Sequence, residues 1–320
     1  MSKPSPDDRF TGRREFLSML SAAAASGLFG AAASAAPPDV PASAPGAAPQ
    51  AGPAMPTIML GKHQVSRLVA GSNPILGYSY MGKHTDQHMK EYFTTEQTVR
   101  FLQDCERSGI TAHQFSTPDR AAPYIRPLRE QGSKLQYICL HSERDKIQQA
   151  IDIAQPIAIV HHGGATDRLF SEGKSKRVHD YVKAVKDSGV LAGVSAHNPD
   201  CIKQVADEGW EVDLFMTCFY FVTRKTVNKD LDVSTLDMVY PFFKDDPQAM
   251  TQVIRQVKQP CLAFKILGAG RLCSSPDTVR AAFKFAFENI KPIDGVIVGM
   301  FPWYFDEIGA NVEYTRQLGI

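Results

Sequence analysis

Five of the nine histidines of this 320-residue chain stand in or at the ends of short apolar runs. His113 lies in "ITAHQF", His141 closes "LQYICLH", His161 and His162 close "IAIVHH", and His197 closes "LAGVSAH". An imidazole both takes and gives a proton near neutral pH, and in its neutral form it binds zinc, manganese or cobalt. Neighbouring strands lie roughly 4.8 Å apart. His141 and His161, on consecutive runs, are therefore spaced for two ligands of one divalent metal, or for an acid and a base flanking a substrate. Gln114, Asp119, Cys218 and His197 are the candidates for a third ligand. Side-chain direction alternates along a strand. Only one of His161 and His162 faces a common site, and the expectation here is that His161 works while His162 caps or packs. His113 has the opposite parity to Gln114. No H-x-H or H-E-x-x-H spacing adds to the metal reading.

Other groups suit a substrate. Lys265, in "CLAFKIL", offers a cation for an anionic compound or an amine for a Schiff base. Two long connections, beginning "NPILGYSY" and "FYFVTRKT", carry Tyr78, Tyr80, Phe219 and Tyr220. Loops this long are often lids, and these rings suit stacking on a sugar-like or aromatic compound.

The elements that must position these residues alternate regularly. Eight short runs rich in Val, Ile and Leu read as strands: "SRLVAGS", "ITAHQF", "LQYICLH", "IAIVHH", "LAGVSAH", "VDLFMTC", "CLAFKIL" and "DGVIVGM". Helical segments between them carry start signals. Thr94 and Gln97 make a capping box, Ser142 is a cap, and Asn198-Pro199, Asp246-Pro247 and Ser275-Pro276 open further helices. Gly109 and Gly189 stop two of them. Eight strand–helix units in this order predict an α/β fold, a parallel (β/α)8 TIM barrel. An open doubly wound sheet is disfavoured, because no G-x-G-x-x-G follows the first strand.

The collinear order of several motifs resembles the aldo-keto reductase superfamily. "MPTIMLGKHQVSRLVAGSNPILG" resembles its opening, where a β-hairpin plugs the barrel floor. "ERSGITAHQF", "IAIVHH", "LAGVSAHNPD", "FKILGAGRL" and "DGVIVGMFPWYFDEIGANV" resemble later strands in order, over nearly all of residues 56 to 318. The resemblance implies a carbonyl reductase using NADP, with a tetrad of Asp, Tyr, Lys and His. Carried over, the Asp falls on Gln114, the Tyr on Asp119 and the Lys on His141; only the His is kept, as His161. A conventional NADP-dependent reductase would then need Tyr124 or a loop tyrosine as donor. For the cofactor, the resemblance leaves Ser195, Phe264 as a stacking ring, and Gly268 and Gly270 near a pyrophosphate. The cations expected after the last strand are replaced by Met300-Phe301-Pro302-Trp303, while Glu307 and Asn311 echo the following helix.

The first 55 residues differ in kind. Arg13-Arg14, then Phe16-Leu17, an Ala-rich stretch and Ala33-Ser34-Ala35 read as a twin-arginine signal peptide over residues 1–35. Residues 36–55 read as a Pro/Ala-rich linker and 56–320 as the folded domain. The expected location is periplasmic or otherwise extracytoplasmic, with the twin-arginine machinery as partner. A net charge of +1 with mixed signs excludes a basic nucleic-acid face. No later segment is apolar enough to span a bilayer, so the mature domain is expected outside the membrane. The six cysteines lack C-x-x-C pairing and read as buried thiols.

These readings point to an exported barrel enzyme. It is expected to act on a small hydroxylated or carbonyl compound by histidine acid/base or metal-assisted chemistry, as in an isomerase, epimerase or lyase. An NADP-dependent oxidoreductase and a non-catalytic ligand-binding barrel are the alternatives.

Overall fold

A computed structural model describes residues 54–224 and 240–320. The segments read as signal peptide and linker lie almost wholly outside these residues, as does the middle of the long connection after "VDLFMTC". The chain enters as an antiparallel hairpin, β1 (Thr57–Leu60) and β2 (His63–Ser66), with Leu60 opposite His63. Its turn needs Gly61, whose φ is +55°. Ile58, Leu60 and Val65 join the cluster that fills the barrel interior, so the hairpin plugs the floor.

Eight parallel strands then close on themselves. They are β3 (Leu68–Gly71), β4 (Ala112–Ser116), β5 (Gln136–His141), β6 (Ala158–His161), β7 (Leu191–Ala196), β8 (Leu214–Cys218), β9 (Cys261–Phe264) and β10 (Gly295–Gly299). The barrel and hairpin agree with the sequence reading.

The register decides which side chains face the axis. Val69, Ala112, Ile138, Ala158, Val160, Leu214, Met216, Leu262 and Ile297 form the interior cluster. The alternate residues, among them Tyr137, Cys139, Ile159, Val194 and Phe215, pack outward under the helices.

Among the described residues the surrounding helices include α1 (Lys83–Tyr92), α2 (Thr95–Arg107), α3 (Pro118–Glu130), α4 (Ile147–Ala154), α5 (Gly163–Ser171), α6 (Ser175–Asp187), α7 (Pro199–Asp207), α8 (Asp246–Gln256), α9 (Pro276–Asn289) and α10 (Glu307–Leu318). Ser275 and Thr278 complete a reciprocal box at α9, and Asn198 accepts from the Asp200 amide at α7. Thr94 accepts from the Gln97 amide, but the Gln97 side chain donates to Tyr92 instead, so that box is half made. Ser142 does not cap; a short 3-10 turn over Arg144–Lys146 leads into α4.

At the floor, the Arg67 guanidinium donates to the carbonyls of Asp294, Lys291 and Gly319, and it lies over the Phe287 ring. This ties the first barrel strand to the segment before the last one and to the chain end.

Candidate active site at the barrel mouth

β5 and β6 pair His141 with His161, so the two imidazoles are neighbours. The expectation that they converge in the mouth is corrected. Both share the parity of the outward residues Cys139 and Ile159, which face the helix layer. His161 is buried, its Nδ1 is 2.8 Å from Thr166 Oγ1, and its ring meets Tyr181 edge-on at 4.9 Å. Burial, then the neighbouring His162 and His141, push it down to about 3. At His141, Nδ1 accepts from the Glu143 amide at 3.3 Å, and its charged surroundings are Glu143, Lys146, Asp145 and Asp119. His113 is likewise outside the barrel, bonded to the Ala70 carbonyl and the Tyr124 hydroxyl, and burial pushes it down to about 4.

The histidines that do face the mouth are His162 and His197. His162 continues the parity of Ala158 and Val160, and is open to solvent. It is the N-cap residue of α5, but its side chain makes no cap bond. His197 follows Ser195 on the inward parity of β7 and packs against the Phe264 ring at 5.6 Å. Its Nδ1 is 2.8 Å from Asp167 Oδ2, and its own amide donates to the same carboxylate. Asp167, on α5, also accepts from the Asn198 amide and from the Thr223 hydroxyl at 2.8 Å. A carboxylate so held takes the Nδ1 proton side and leaves Nε2 with the lone pair. Burial lowers the His197 pKa more than Asp167 raises it, so the ring is neutral at pH 7. Partial loss of water at the mouth first, then His197 and Lys265, hold the His162 pKa below the usual imidazole value.

Lys265 joins them by a break in the alternation. It follows the inward Phe264, yet its φ of +58° turns its side chain over the mouth. Nζ stands 4.5 Å from the Tyr80 ring centroid and 4.9 Å from that of Phe264. Burial pulls the ammonium down, but Cys218 and the Tyr80 and Tyr240 phenols outweigh it, and the net direction is up. A lysine held charged suits the first of its two expected roles, a cation for an anionic group.

The remaining predicted residues divide. Gln114 is buried at the inward parity of Ala112, at the mouth. Ser195 is inward and buried, and its hydroxyl has no partner. Gly268 and Gly270 have φ of +57° and +89°, and Tyr220 stands beside Gly268. Two placements, those of Asp119 and Phe219, are corrected. Asp119 is exposed on the outer surface, accepting from Gln149 at 2.8 Å. Phe219 is buried against Phe285 of α9. Tyr78 is exposed, with no ring partner among the described residues.

Tyr124 is fully enclosed behind β4 and bonded to His113, so it is no proton donor for a mouth substrate. Asp167 was missed altogether. It lies in no motif, and only the adjacency of β6 and β7 brings its helix beside His197.

Two cofactor readings meet these residues. No three His, Cys, Asp or Glu side chains among the described residues are grouped to hold a metal ion. For NADP, Phe264 and the left-handed backbone at Gly268 and Gly270 suit a ring and a pyrophosphate. The end of β10 does not suit a further phosphate: the Phe301 amide is already taken by the Glu307 carboxylate at 2.8 Å. An anion beside that carboxylate is repelled, so the residues present do not fit NADP.

No family model and no curated protein matches the sequence. Solved structures do resemble the fold. An aldo-keto reductase from Bacillus halodurans, in its holo form, matches with a TM-score of 0.53 at 12% identity, covering 83% of this chain and 95% of that one. Its apo form matches with a TM-score of 0.50 at 13% identity, covering 83% and 95%. A variant of the protein Gox0644 in complex with NADPH matches with a TM-score of 0.52 at 10% identity, covering 83% and 88%. The chain therefore has an aldo-keto-reductase-like TIM barrel fold.

Proposed function

We propose that this barrel is an enzyme that moves a proton next to the carbonyl of a small hydroxylated compound, as an isomerase, epimerase or lyase does. The observation that carries the reading is the His197–Asp167 couple: a neutral imidazole, oriented by a buried carboxylate, at the mouth of a barrel. In this reading Nε2 of His197 takes the proton from the carbon beside the carbonyl. The C–H electrons form the enolate C=C and the carbonyl electrons move to oxygen. Neutral His162 donates an N–H to that oxygen, and the His197 imidazolium then returns its proton to the same carbon, which epimerises it; to the former carbonyl carbon, once the adjacent hydroxyl proton has passed to the enolate oxygen, which isomerises the compound; or to a departing β-hydroxyl, which leaves as water. No electrons leave the substrate, so no redox partner is needed.

Deuterium incorporation from D2O into dihydroxyacetone, glyceraldehyde and aldoses, followed by NMR, tests this. Wild-type protein is expected to label at least one compound at the carbon next to the carbonyl, and His197→Asn to abolish the labelling. Equal labelling by both proteins sinks the reading.

An oxidoreductase has one observation in its favour, the Tyr80 phenol beside the Lys265 ammonium. The Glu307–Phe301 contact weighs against it. Titration with NADPH, read by its fluorescence, separates the two.

We further propose export through the twin-arginine pathway to the periplasm. Support comes from Arg13-Arg14, Phe16-Leu17 and Ala33-Ser34-Ala35 in the expected order. Replacing both arginines by lysine is expected to leave the protein unprocessed in the cytoplasm. Unchanged fractionation would refute it.

A further inference from the structure

We propose that the substrate of this mouth is an anion: a small hydroxy or carbonyl compound bearing a carboxylate or phosphate that pairs with Lys265, with Arg271 at the rim. The inference rests on the mouth being the active site and adds the class of compound it takes.

Lys265 is half-buried, and no carboxylate among the described residues pairs with it. Its contacts among the described residues include the faces of Tyr80 and Phe264. Arg271, exposed at the rim, likewise has no carboxylate partner among the described residues. It donates to the carbonyls of Gly268, Ala269 and Tyr80, and its guanidinium lies 3.8 Å from the centroid of Phe242. Among the described residues, the carboxylate beside His197, Asp167, is committed to His197, Asn198 and Thr223.

Other sheltered cations are met by polar partners within the protein: three backbone carbonyls accept from Arg67. Lys291 pairs with Asp294 at 3.0 Å, and Arg224 pairs with Asp246 at 2.6 Å. Sheltering a charge without a counter-charge is costly, and aromatic faces offset only part of the cost. A backbone held at positive φ at Lys265, and again at Tyr80 with φ +59°, is a further cost spent on bringing these two groups together. Both costs make sense if an arriving anion supplies the missing charge. Neutral His162 and His197 do not compete for it, and they remain free for the proton chemistry.

The test uses calorimetric titration of the full chain with three matched compounds: D-glycerate, glycerol 3-phosphate and glycerol. The expected result is that at least one anion binds and glycerol binds about tenfold or more weakly. Lys265→Met and the exposed Arg271→Gln should each weaken the anion, Lys265 by about tenfold or more, while Lys265→Arg restores much of it. Salt at about 0.5 M should weaken the anion selectively. Which anion binds identifies carboxylate or phosphate as the recognised group.

Glycerol binding as tightly as both anions, no binding of either anion, or anion affinity untouched by Lys265→Met and Arg271→Gln each overturns the proposal. His197→Asn keeps the two proposals apart. It should bind the anion as wild type does while losing deuterium exchange. Anion selectivity in a protein that exchanges no deuterium with any compound would remove the base assignment and leave the anion site standing.

Discussion

His197 and Asp167 carry the sharpest consequences at the scale of single residues. Asp167→Asn keeps the size of the side chain but removes the charge that fixes the Nδ1–H tautomer. Turnover is expected to fall by about 10²- to 10⁴-fold, read from the deuterium exchange rate. The base works only when neutral, and burial holds its pKa below the ordinary 6.5. Activity should therefore persist as pH drops below 6.5 and fail only on passing the lower folded value. A limb centred above pH 7 would contradict this.

The outward histidines act on stability instead. His113 is neutral in the fold down to about pH 4 but is protonated in the unfolded chain below 6.5. The unfolded state then binds more protons, so stability is complete above pH 6.5 and declines between 6.5 and about 4. The slope is about 1.4 kcal/mol per pH unit for each such histidine. Urea midpoints measured across this range should fall, and His113→Phe should flatten the fall.

Segments act by bringing these residues within reach. Gly163 opens α5 where a Cβ would stand 2.9 Å from Ser195 Oγ and 3.1 Å from His197 Cε1. The Ser195 hydroxyl can turn aside, but the ring is tied to Asp167. Gly163→Ala should displace His197 and reduce exchange about tenfold or more. Thermal stability should change little, since alanine favours a helix by about 1 kcal/mol over glycine. A variant with undiminished exchange would mean the ring is not held in place from this side.

α3 shows why some elements were hard to read. It contains Pro123 and Pro127, which read as helix breakers, yet it buries Tyr124, Ile125 and Leu128 against the barrel. Packing of that face outweighs the lost hydrogen bonds. Residues re-aimed by positive φ, Tyr80 and Lys265, are equally invisible to a rule of strict alternation.

At the scale of the molecule, Arg67 fastens the floor, at the end opposite the proposed site. Its three carbonyl acceptors belong to the segment before β10 and to the chain end. Arg67→Met would leave those carbonyls buried without a donor, at an expected cost of about 3 kcal/mol or more in urea unfolding. The anion affinity, set at the opposite end, should survive under native conditions.

The sequence alone determined the barrel and the ring of polar groups at the strand ends, and its family resemblance implied the plug. Eight apolar runs separated by capped helices admit few other arrangements, and Gly61, Asn198 and Ser275 mark turns and caps by local chemistry. Which histidine faces the axis was decided only by the tertiary structure. The strands of a parallel barrel are buried on both faces, so "IAIVHH" has no alternation from which to read a direction. A slip of one residue exchanges His161 for His162 and sends the chemistry to the wrong side of the wall. The partner of His197 was beyond any reading of spacing, because Asp167 reaches it only where two closed strands lie side by side.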